Sequence, residues 1–150
     1  MSGDPAVRLV QQSDYRFAIY YSEDKDPIFG DEPPPLGKSE GATPSQFLAA
    51  AVANCLSDSL LFALRKFKQN PDPIETKARC EIGRNDQNRL RILAIYVDIR
   101  IGVPGDTLEN LDRVLAQFQD FCTVSSSVSL GIPVHVSVVD SLDKQLYQST

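Results

Sequence analysis

The longest helical pattern in the chain covers residues 43–68. Apolar residues recur along it at every fourth position, as Leu48, Val52, Leu56, Leu60 and Leu64. Thr43 can cap the first turn, Pro44 suits the first helical position, and Gln46 is placed to reach back to the cap. No side chain between positions 47 and 53 is polar. The pattern therefore predicts a long helix whose apolar first half lies inside the protein.

Strand patterns lie on both sides of this helix. The predicted strands are residues 7–10, 15–21, 74–82, 90–101 and 132–139. A polar turn at 85–88 predicts a hairpin between the third and fourth of them. The 90–101 strand is apolar on both faces, which indicates cover on both sides. We expect the polar tail from Asp140 onwards to fray.

Two further segments complete the predicted topology. Residues 24–41 form a long connection with three consecutive prolines, and loops of this length are usually functional or wrap another surface. A second helix is predicted to begin at Asp106, with Glu109 at the reciprocal capping position. The order β-β-loop-α-β-β-α-β predicts an α+β fold, and 150 residues suit a single domain covering residues 1–150.

Composition narrows the range of partners and compartments. A net charge of −5 argues against nucleic acid, because phosphate binding needs clustered Lys and Arg. The first residues lack a basic segment followed by an apolar one, and no apolar run approaches membrane-spanning length. We therefore expect a cytoplasmic protein that does not bind a membrane. Three widely spaced cysteines favour thiols over a disulfide scaffold.

Most site chemistries are excluded by the residues that are missing. Zinc binding would require a Cys-x-x-Cys pair or clustered histidines, and the chain has one histidine, His135. The same lone histidine argues against Ser-His-Asp catalysis, and no glycine-rich phosphate loop is present. We predict neither a metal nor a cofactor, which leaves the thiols.

The three cysteines lie in different surroundings. Cys80 occupies a small inward position on a strand, where inert cysteines are common. Cys55 lies in the predicted helix beside a polar insert formed by Asn54, Ser57, Asp58 and Ser59. Cys122 precedes a hydroxyl-rich segment that contains Thr123, Ser125, Ser126 and Ser127. Cys55 and Cys122 are therefore the candidates for chemistry, against the simpler reading of both as core residues.

Two segments that contain these cysteines resemble a known family. Residues 41–56, GATPSQFLAAAVANCL, and residues 121–124, FCTV, are similar to those of the OsmC/Ohr family of osmotically inducible and organic hydroperoxide resistance proteins. Residues 31–37, DEPPPLG, and residues 128–136 resemble one branch of it. The resemblance covers essentially the whole chain in the expected order.

The resemblance implies a fold and an activity. The fold is an antiparallel sheet packed around a long central helix, in an intertwined homodimer with two active sites at its interface. The activity is reduction of organic hydroperoxides in oxidative-stress defence, with an external thiol as reductant. Cys55 matches the peroxidatic cysteine, which attacks the peroxide, and Cys122 matches the resolving cysteine, which closes a disulfide.

A cysteine that attacks peroxide needs help to ionise. Cys55 lies twelve residues after Thr43, far beyond the first turn, where the helix dipole acts. In the family an arginine from before the helix supplies the positive charge, held by a glutamate in the first helical turn. This chain has Ser45 and Gln46 there instead. The candidate cations are Lys38, Arg16 and Arg8, with Glu40 as a candidate carboxylate.

Two functions fit these residues. The first is a thiol peroxidase for organic hydroperoxides, with Phe47, Leu48 and Ala51 as an apolar wall for an alkyl chain. The second is a non-catalytic dimer that binds a small apolar ligand or senses redox state through a reactive thiol. Turnover, as opposed to stoichiometric oxidation, distinguishes them.

Overall fold

The computed structural model describes residues 3–149 and shows a mixed α+β fold, as predicted, in which the strands form two sheets and not one. In chain order the elements are β1 (Arg8–Ser13), β2 (Arg16–Tyr20), β3 (Ile28–Gly30), α1 (Pro44–Lys66), β4 (Glu75–Arg84), β5 (Leu90–Arg100), a 3₁₀ helix (Gly105–Thr107), α2 (Leu111–Gln117), a second 3₁₀ helix (Phe118–Phe121), α3 (Thr123–Val128), β6 (Val134–Val139) and β7 (Gln145–Gln148). The chain divides into two compact units, Met1–Phe47 and Leu48–Thr150. Folding of both as one domain stays a prediction.

The first unit contains the antiparallel sheet β1-β2-β3 and a loop organised by one buried carboxylate. Asp31 accepts backbone N–H bonds from Glu32 at 2.8 Å, Lys38 at 3.2 Å and Glu40 at 3.1 Å. These bonds hold the pKa of Asp31 below its usual range, and the bond from Glu40 contributes most. Burial acts in the opposite direction, because it raises the pKa of a carboxyl group. The proline-rich loop is therefore folded back onto its own first residue.

The start of α1 is a reciprocal cap. The Gln46 N–H donates to Thr43 Oγ1 at 3.2 Å, and the Thr43 N–H donates to Gln46 Oε1 at 2.9 Å. This pair confirms the capping predicted from the sequence. The helix ends at Lys66, slightly earlier than predicted, and Lys68 beyond it has a left-handed φ of 60°.

Burial along α1 is one-sided. Val52, Leu56, Leu60 and Leu64 are fully buried in a core shared with β5, β6 and α2. Ala50 and Ala51, in contrast, are exposed. The prediction that the apolar segment 47–53 lies inside the protein is therefore wrong for this chain taken alone, because this core covers one side of the helix.

The apolar length of α1 was underestimated from the sequence. By length and composition alone, Pro44–Lys66 could cross a membrane, contrary to the expectation that no apolar run approached that length. Core helices of soluble proteins meet the same criterion, so the match is weak evidence of a membrane span.

The second unit contains the sheet β4-β5-β6-β7. β4 and β5 form the predicted antiparallel hairpin, but β5 and β6 are parallel, in register from Ile95 with Val134 to Arg100 with Val139. The prediction of an antiparallel sheet is wrong for this pair, because the helical crossover between the strands returns the chain to run in the same direction. The tail does not fray: β7 pairs antiparallel with β6.

A bulge changes the buried face of β5. Glu81 pairs with Ala94 and the next residue, Ile82, pairs with Ile92, which leaves Leu93 without an opposite residue. The buried residues are Ala94, Ile95, Val97, Ile99 and Ile101, whereas Leu90 and Leu93 are exposed. The prediction of cover on both faces is wrong because the extra residue shifts the alternation by one position.

The second helix begins later than predicted. α2 starts at Leu111 after Asn110, and Asp106 lies in the preceding 3₁₀ turn. A long-range bond holds the start of that 3₁₀ turn, because the buried carboxylate of Asp140 accepts the Gly105 N–H at 2.8 Å. It also accepts the N–H groups of two residues in the β6–β7 turn, Leu142 and Lys144. Asp140 therefore ties the crossover to the end of the sheet.

Candidate active site

The site consists of two thiols from different elements of the second unit. Cys55 lies midway along α1 and is half-buried, whereas Cys122 follows the Phe118–Phe121 turn and is fully buried. The two side chains lie close enough for Cys55 to raise the pKa of the Cys122 thiol. The site therefore brings a half-buried thiol and a fully buried thiol together.

Cys122 is held by local hydrogen bonds on both sides. Its N–H donates to the carbonyl of Gln119 at 3.1 Å, and its carbonyl accepts the N–H of Ser126 at 3.0 Å. Its sulfur caps α3 by accepting the Ser125 N–H at 3.3 Å. This capping role was not predicted from the sequence, although the spacing of three residues between Cys122 and Ser125 was the available signal.

The surroundings of Cys122 favour its protonated form. Burial is the main cause of a raised pKa for this thiol, and the hydrogen bond with Cys55 raises it further. The bonds from Ser125 act in the opposite direction without reversing the shift. Cys122 therefore stays protonated at neutral pH.

The polar residues around Cys55 have other partners. Ser57 donates to the Ala53 carbonyl at 2.8 Å, and its hydroxyl lies 2.6 Å from that of Thr76 on β4. The Asn54 amide donates to the Asp58 carboxylate at 2.9 Å. This insert, which the sequence suggested as chemical support for the thiol, fastens α1 to β4 and stabilises the helix surface.

Cys80 and His135 lie elsewhere on the second sheet. Cys80 is half-buried on β4, opposite Ile95, and burial raises the pKa of its thiol. His135 stacks on Tyr96 of the neighbouring strand, with ring centroids 4.9 Å apart. Within residues 3–149, no group of three His, Cys, Asp or Glu side chains could hold a metal ion.

The candidate cations belong to the first unit. Arg16, on β2, pairs with Glu40 at 3.6 Å, and its guanidinium lies 4.4 Å from the centre of the Phe29 ring. Its buried Nε has no hydrogen-bond partner among the described residues. Arg16 therefore has a carboxylate partner in Glu40, which follows the proline-rich loop. The first turn of α1 offers no such partner, because it has no acidic residue.

The other two cations are on the surface of that unit. Arg8 is engaged by Glu23 at 2.7 Å, and both side chains are exposed. Lys38 is exposed, and its backbone N–H donates to Asp31. The role of Lys38 in activating Cys55 stays a prediction, with Arg16 and Arg8 as alternatives.

Comparison with known proteins places this architecture in a family. A sequence model described as OsmC-like protein matches residues 37–137, a segment that contains both Cys55 and Cys122. No curated protein matches the chain.

Solved structures share the fold at low sequence identity. An OsmC-like protein of unknown function from Vibrio cholerae has a TM-score of 0.76 and 13% identity over 92% of this chain and 100% of its own. An organic hydroperoxide resistance protein from Elizabethkingia anophelis has a TM-score of 0.67 and 17% identity, covering 94% and 100%. The organic hydroperoxide resistance protein OhrB of Bacillus subtilis has a TM-score of 0.66 and 14% identity, covering 89% and 97%.

These likenesses show a shared fold, and the family match extends over more than half of the chain, through the helix with the first thiol and the turn with the second. The protein belongs to the OsmC-like protein family.

Proposed function

We propose that the protein is a thiol-dependent peroxidase that reduces organic hydroperoxides in oxidative-stress defence. The observation that carries the proposal is that the half-buried Cys55 lies close enough to the fully buried Cys122 to raise the pKa of its thiol. Two proteins of the same fold are organic hydroperoxide resistance proteins, which supports the substrate class.

The reaction takes two steps in the protein. The Cys55 thiolate attacks the outer oxygen of the hydroperoxide, the O–O bond breaks, and the alkoxide takes a proton and leaves as an alcohol. Cys55 is then a sulfenic acid. The sulfur of Cys122 attacks the sulfur of that acid, water leaves, and a Cys55–Cys122 disulfide forms. An external thiol reductant returns both residues to thiols by exchange.

The proximity of the two residues and their different burial suit this division of roles. Cys122 keeps its proton because it is buried, so it does not compete with Cys55 for the peroxide. It already lies near the residue that it must attack, and such proximity removes much of the entropic cost of the second step. We assign the activating cation for Cys55 to Lys38, with Arg16 and Arg8 as the alternatives.

One observation favours a second function. The first turn of α1 has no acidic residue, and the reciprocal Thr43–Gln46 cap occupies it. Without the glutamate expected there, Cys55 could be oxidised once without turnover. The protein would then be a non-catalytic dimer that binds a small apolar ligand or senses redox state.

We also propose that the chain acts as an intertwined homodimer. Every residue of β1 is exposed, and the apolar side chains of Val7 and Leu9 are 61% and 52% accessible. They border a cavity of about 660 Å³ within the first unit, with Phe17, Ile19 and Phe47. A second chain would cover this apolar surface. Sedimentation is expected to show a dimer at micromolar concentration, and a stable folded monomer would refute the assembly.

A cytoplasmic location is part of the same proposal.

Peroxide consumption tests the activity. With tert-butyl hydroperoxide and dithiothreitol, the wild type should turn over many equivalents. Cys55→Ser should abolish the reaction, because a hydroxyl is a far weaker nucleophile than a thiolate. Without dithiothreitol, Cys122→Ser should consume one equivalent and keep Cys55 as a sulfenic acid, whereas the wild type should form a disulfide. The control Cys80→Ser should keep full activity with dithiothreitol. Peptide mapping of the oxidised wild type should find Cys55 joined to Cys122. One equivalent consumed without turnover would favour the second function.

The activating cation is tested by alkylation. Lys38→Met should slow iodoacetamide modification of Cys55 at neutral pH, because removing a nearby positive charge disfavours the thiolate. Arg16→Met and Arg8→Met are the matched comparisons. If Lys38→Met has no effect and Arg16→Met does, the assignment moves to Arg16; if none of the three changes the rate, the proposed activation is wrong.

A further inference from the structure

A second cavity in the second unit lies between the last turns of α1 and the segment that runs from α2 through Phe121. This aromatic cleft has a volume of about 190 Å³. Four phenylalanines line it, Phe62, Phe67, Phe118 and Phe121, together with two cations, Lys66 and Arg113. The cleft was not predicted from the sequence, although the Phe62–Lys66 spacing of one helical turn was the available signal.

The aromatic rings form a floor and two rims. Phe118 is fully buried and packs edge-on against Tyr147, with centroids 5.9 Å apart. Phe62 and Phe121 are each 63% exposed. Large aromatic side chains are costly to leave in water, and rings grouped around a cavity with a solid floor are typical of ligand sites.

The two cations stand among these rings. Lys66 Nζ lies 5.7 Å from the centre of the Phe62 ring and 6.0 Å from that of Phe121. The Arg113 guanidinium lies 5.8 Å from the centre of the Phe67 ring. Neither side chain forms a salt bridge within residues 3–149, whereas the adjacent Arg65 pairs with Asp72 at 3.5 Å. Among the described residues, the two cations of the cleft are therefore held by no ion pair, although the protein has a net charge of −5.

We propose that the aromatic cleft binds a small aromatic carboxylate. A flat ring fits against Phe118 between the exposed rims, and the carboxylate is positioned to pair with Lys66 or Arg113. The volume is below the roughly 300 Å³ at which drug-sized pockets begin, so the ligand is limited to about one ring. The site goes beyond the proposed peroxidase function and does not depend on it, because neither Cys55 nor Cys122 lines the cleft.

Fluorine NMR titration tests the proposal with 4-fluorophenylacetate as the probe. The full chain should bind it with a dissociation constant near a millimolar, as expected for about ten heavy atoms in an open site. The matched neutral ligand, 4-fluorophenylacetamide, should bind several-fold more weakly. Affinity for the carboxylate should fall as salt is added, because exposed charges are screened.

Charge-removing variants locate the site. Lys66→Met and Arg113→Met should each weaken carboxylate binding by roughly threefold to fivefold, the size expected for one exposed ion pair. Neither should change binding of the amide. Arg65→Met, one residue away on α1, is the matched control and should bind as the wild type does. Cys55→Ser should also bind normally, which separates this result from any failure of the peroxidase proposal.

Three outcomes would overturn the proposal. These are no binding by the wild type, equal affinity for acid and amide, or equal loss in Arg65→Met and Lys66→Met. Sedimentation of the same variants tests whether a second copy of the chain occupies the cleft. If Lys66→Met or Arg113→Met changed the oligomeric state, the cleft would be a contact between subunits, and the proposal would again be overturned.

Discussion

Removing the sulfur of Cys122 should lower the free energy of unfolding and also change how that free energy depends on pH. At neutral pH, Cys122→Ala deletes a fully buried atom and the cap that it gives to the Ser125 N–H. Loss of a cap costs about 0.5–2 kcal/mol, and loss of one buried heavy atom costs about 0.5–1.5 kcal/mol. The free energy of unfolding of the variant should therefore be about 1–3 kcal/mol lower than that of its parent.

The pH dependence follows from the raised pKa of the Cys122 thiol, which burial causes first and the Cys55 bond second. A raised pKa means that folding favours the protonated thiol. The resulting stabilisation is complete below the unfolded pKa, near 8.5, and is lost as pH rises through the folded pKa. In that window the parent should lose up to about 1.4 kcal/mol per pH unit more than Cys122→Ala.

Urea unfolding at about pH 7 and about pH 9.5 measures both effects. Parent and variant should both carry Cys80→Ala, because burial also raises the pKa of Cys80. Reductant and protomer concentration are held constant, since dimerisation would change the apparent stability. A stability difference that stays constant across this pH range would refute the reasoning, because Cys122 would then ionise equally in the folded and unfolded states.

Three further predictions concern the fold. Leu60→Ala should lower the free energy of unfolding by about 2–5 kcal/mol, because Leu60 is fully buried, whereas Leu130→Ala, at a residue 91% exposed, should change it by less than about 0.5 kcal/mol in the same urea titration. Backbone N–H bonds, that from Gly105 foremost, lower the pKa of Asp140, so its stabilising effect is present above about pH 4 and lost as pH falls through the folded pKa. Asp140→Asn should accordingly be less sensitive to acid than the wild type, and an unchanged acid transition in circular dichroism would contradict this. Gly37→Ala should lower the thermal midpoint, because its Cβ would lie 2.1 Å from a backbone carbonyl oxygen, and Gly3→Ala, with open space around the added Cβ, should leave it unchanged.

Local patterns in the sequence determined the elements whose hydrogen bonds join residues close in the chain. The Thr43–Gln46 cap and the β4–β5 hairpin are of this kind. Each depends on side chains within one turn or one hairpin, so the spacing of residue types is enough to predict it. The family followed from contiguous segments around Cys55 and Cys122 for the same reason.

Long-range pairing decided what the patterns left open or predicted wrongly. The parallel direction of β6, the bulge at Leu93 and the late start of α2 depend on contacts between residues far apart in the chain, such as Asp140 with Gly105. The sequence shows that Cys55 and Cys122 each lie beside polar residues, but it does not by itself bring them together. They lie close together because α1 and the Phe118–Phe121 turn bury apolar side chains in one core, and only that packing leaves one thiol half-buried and the other fully buried.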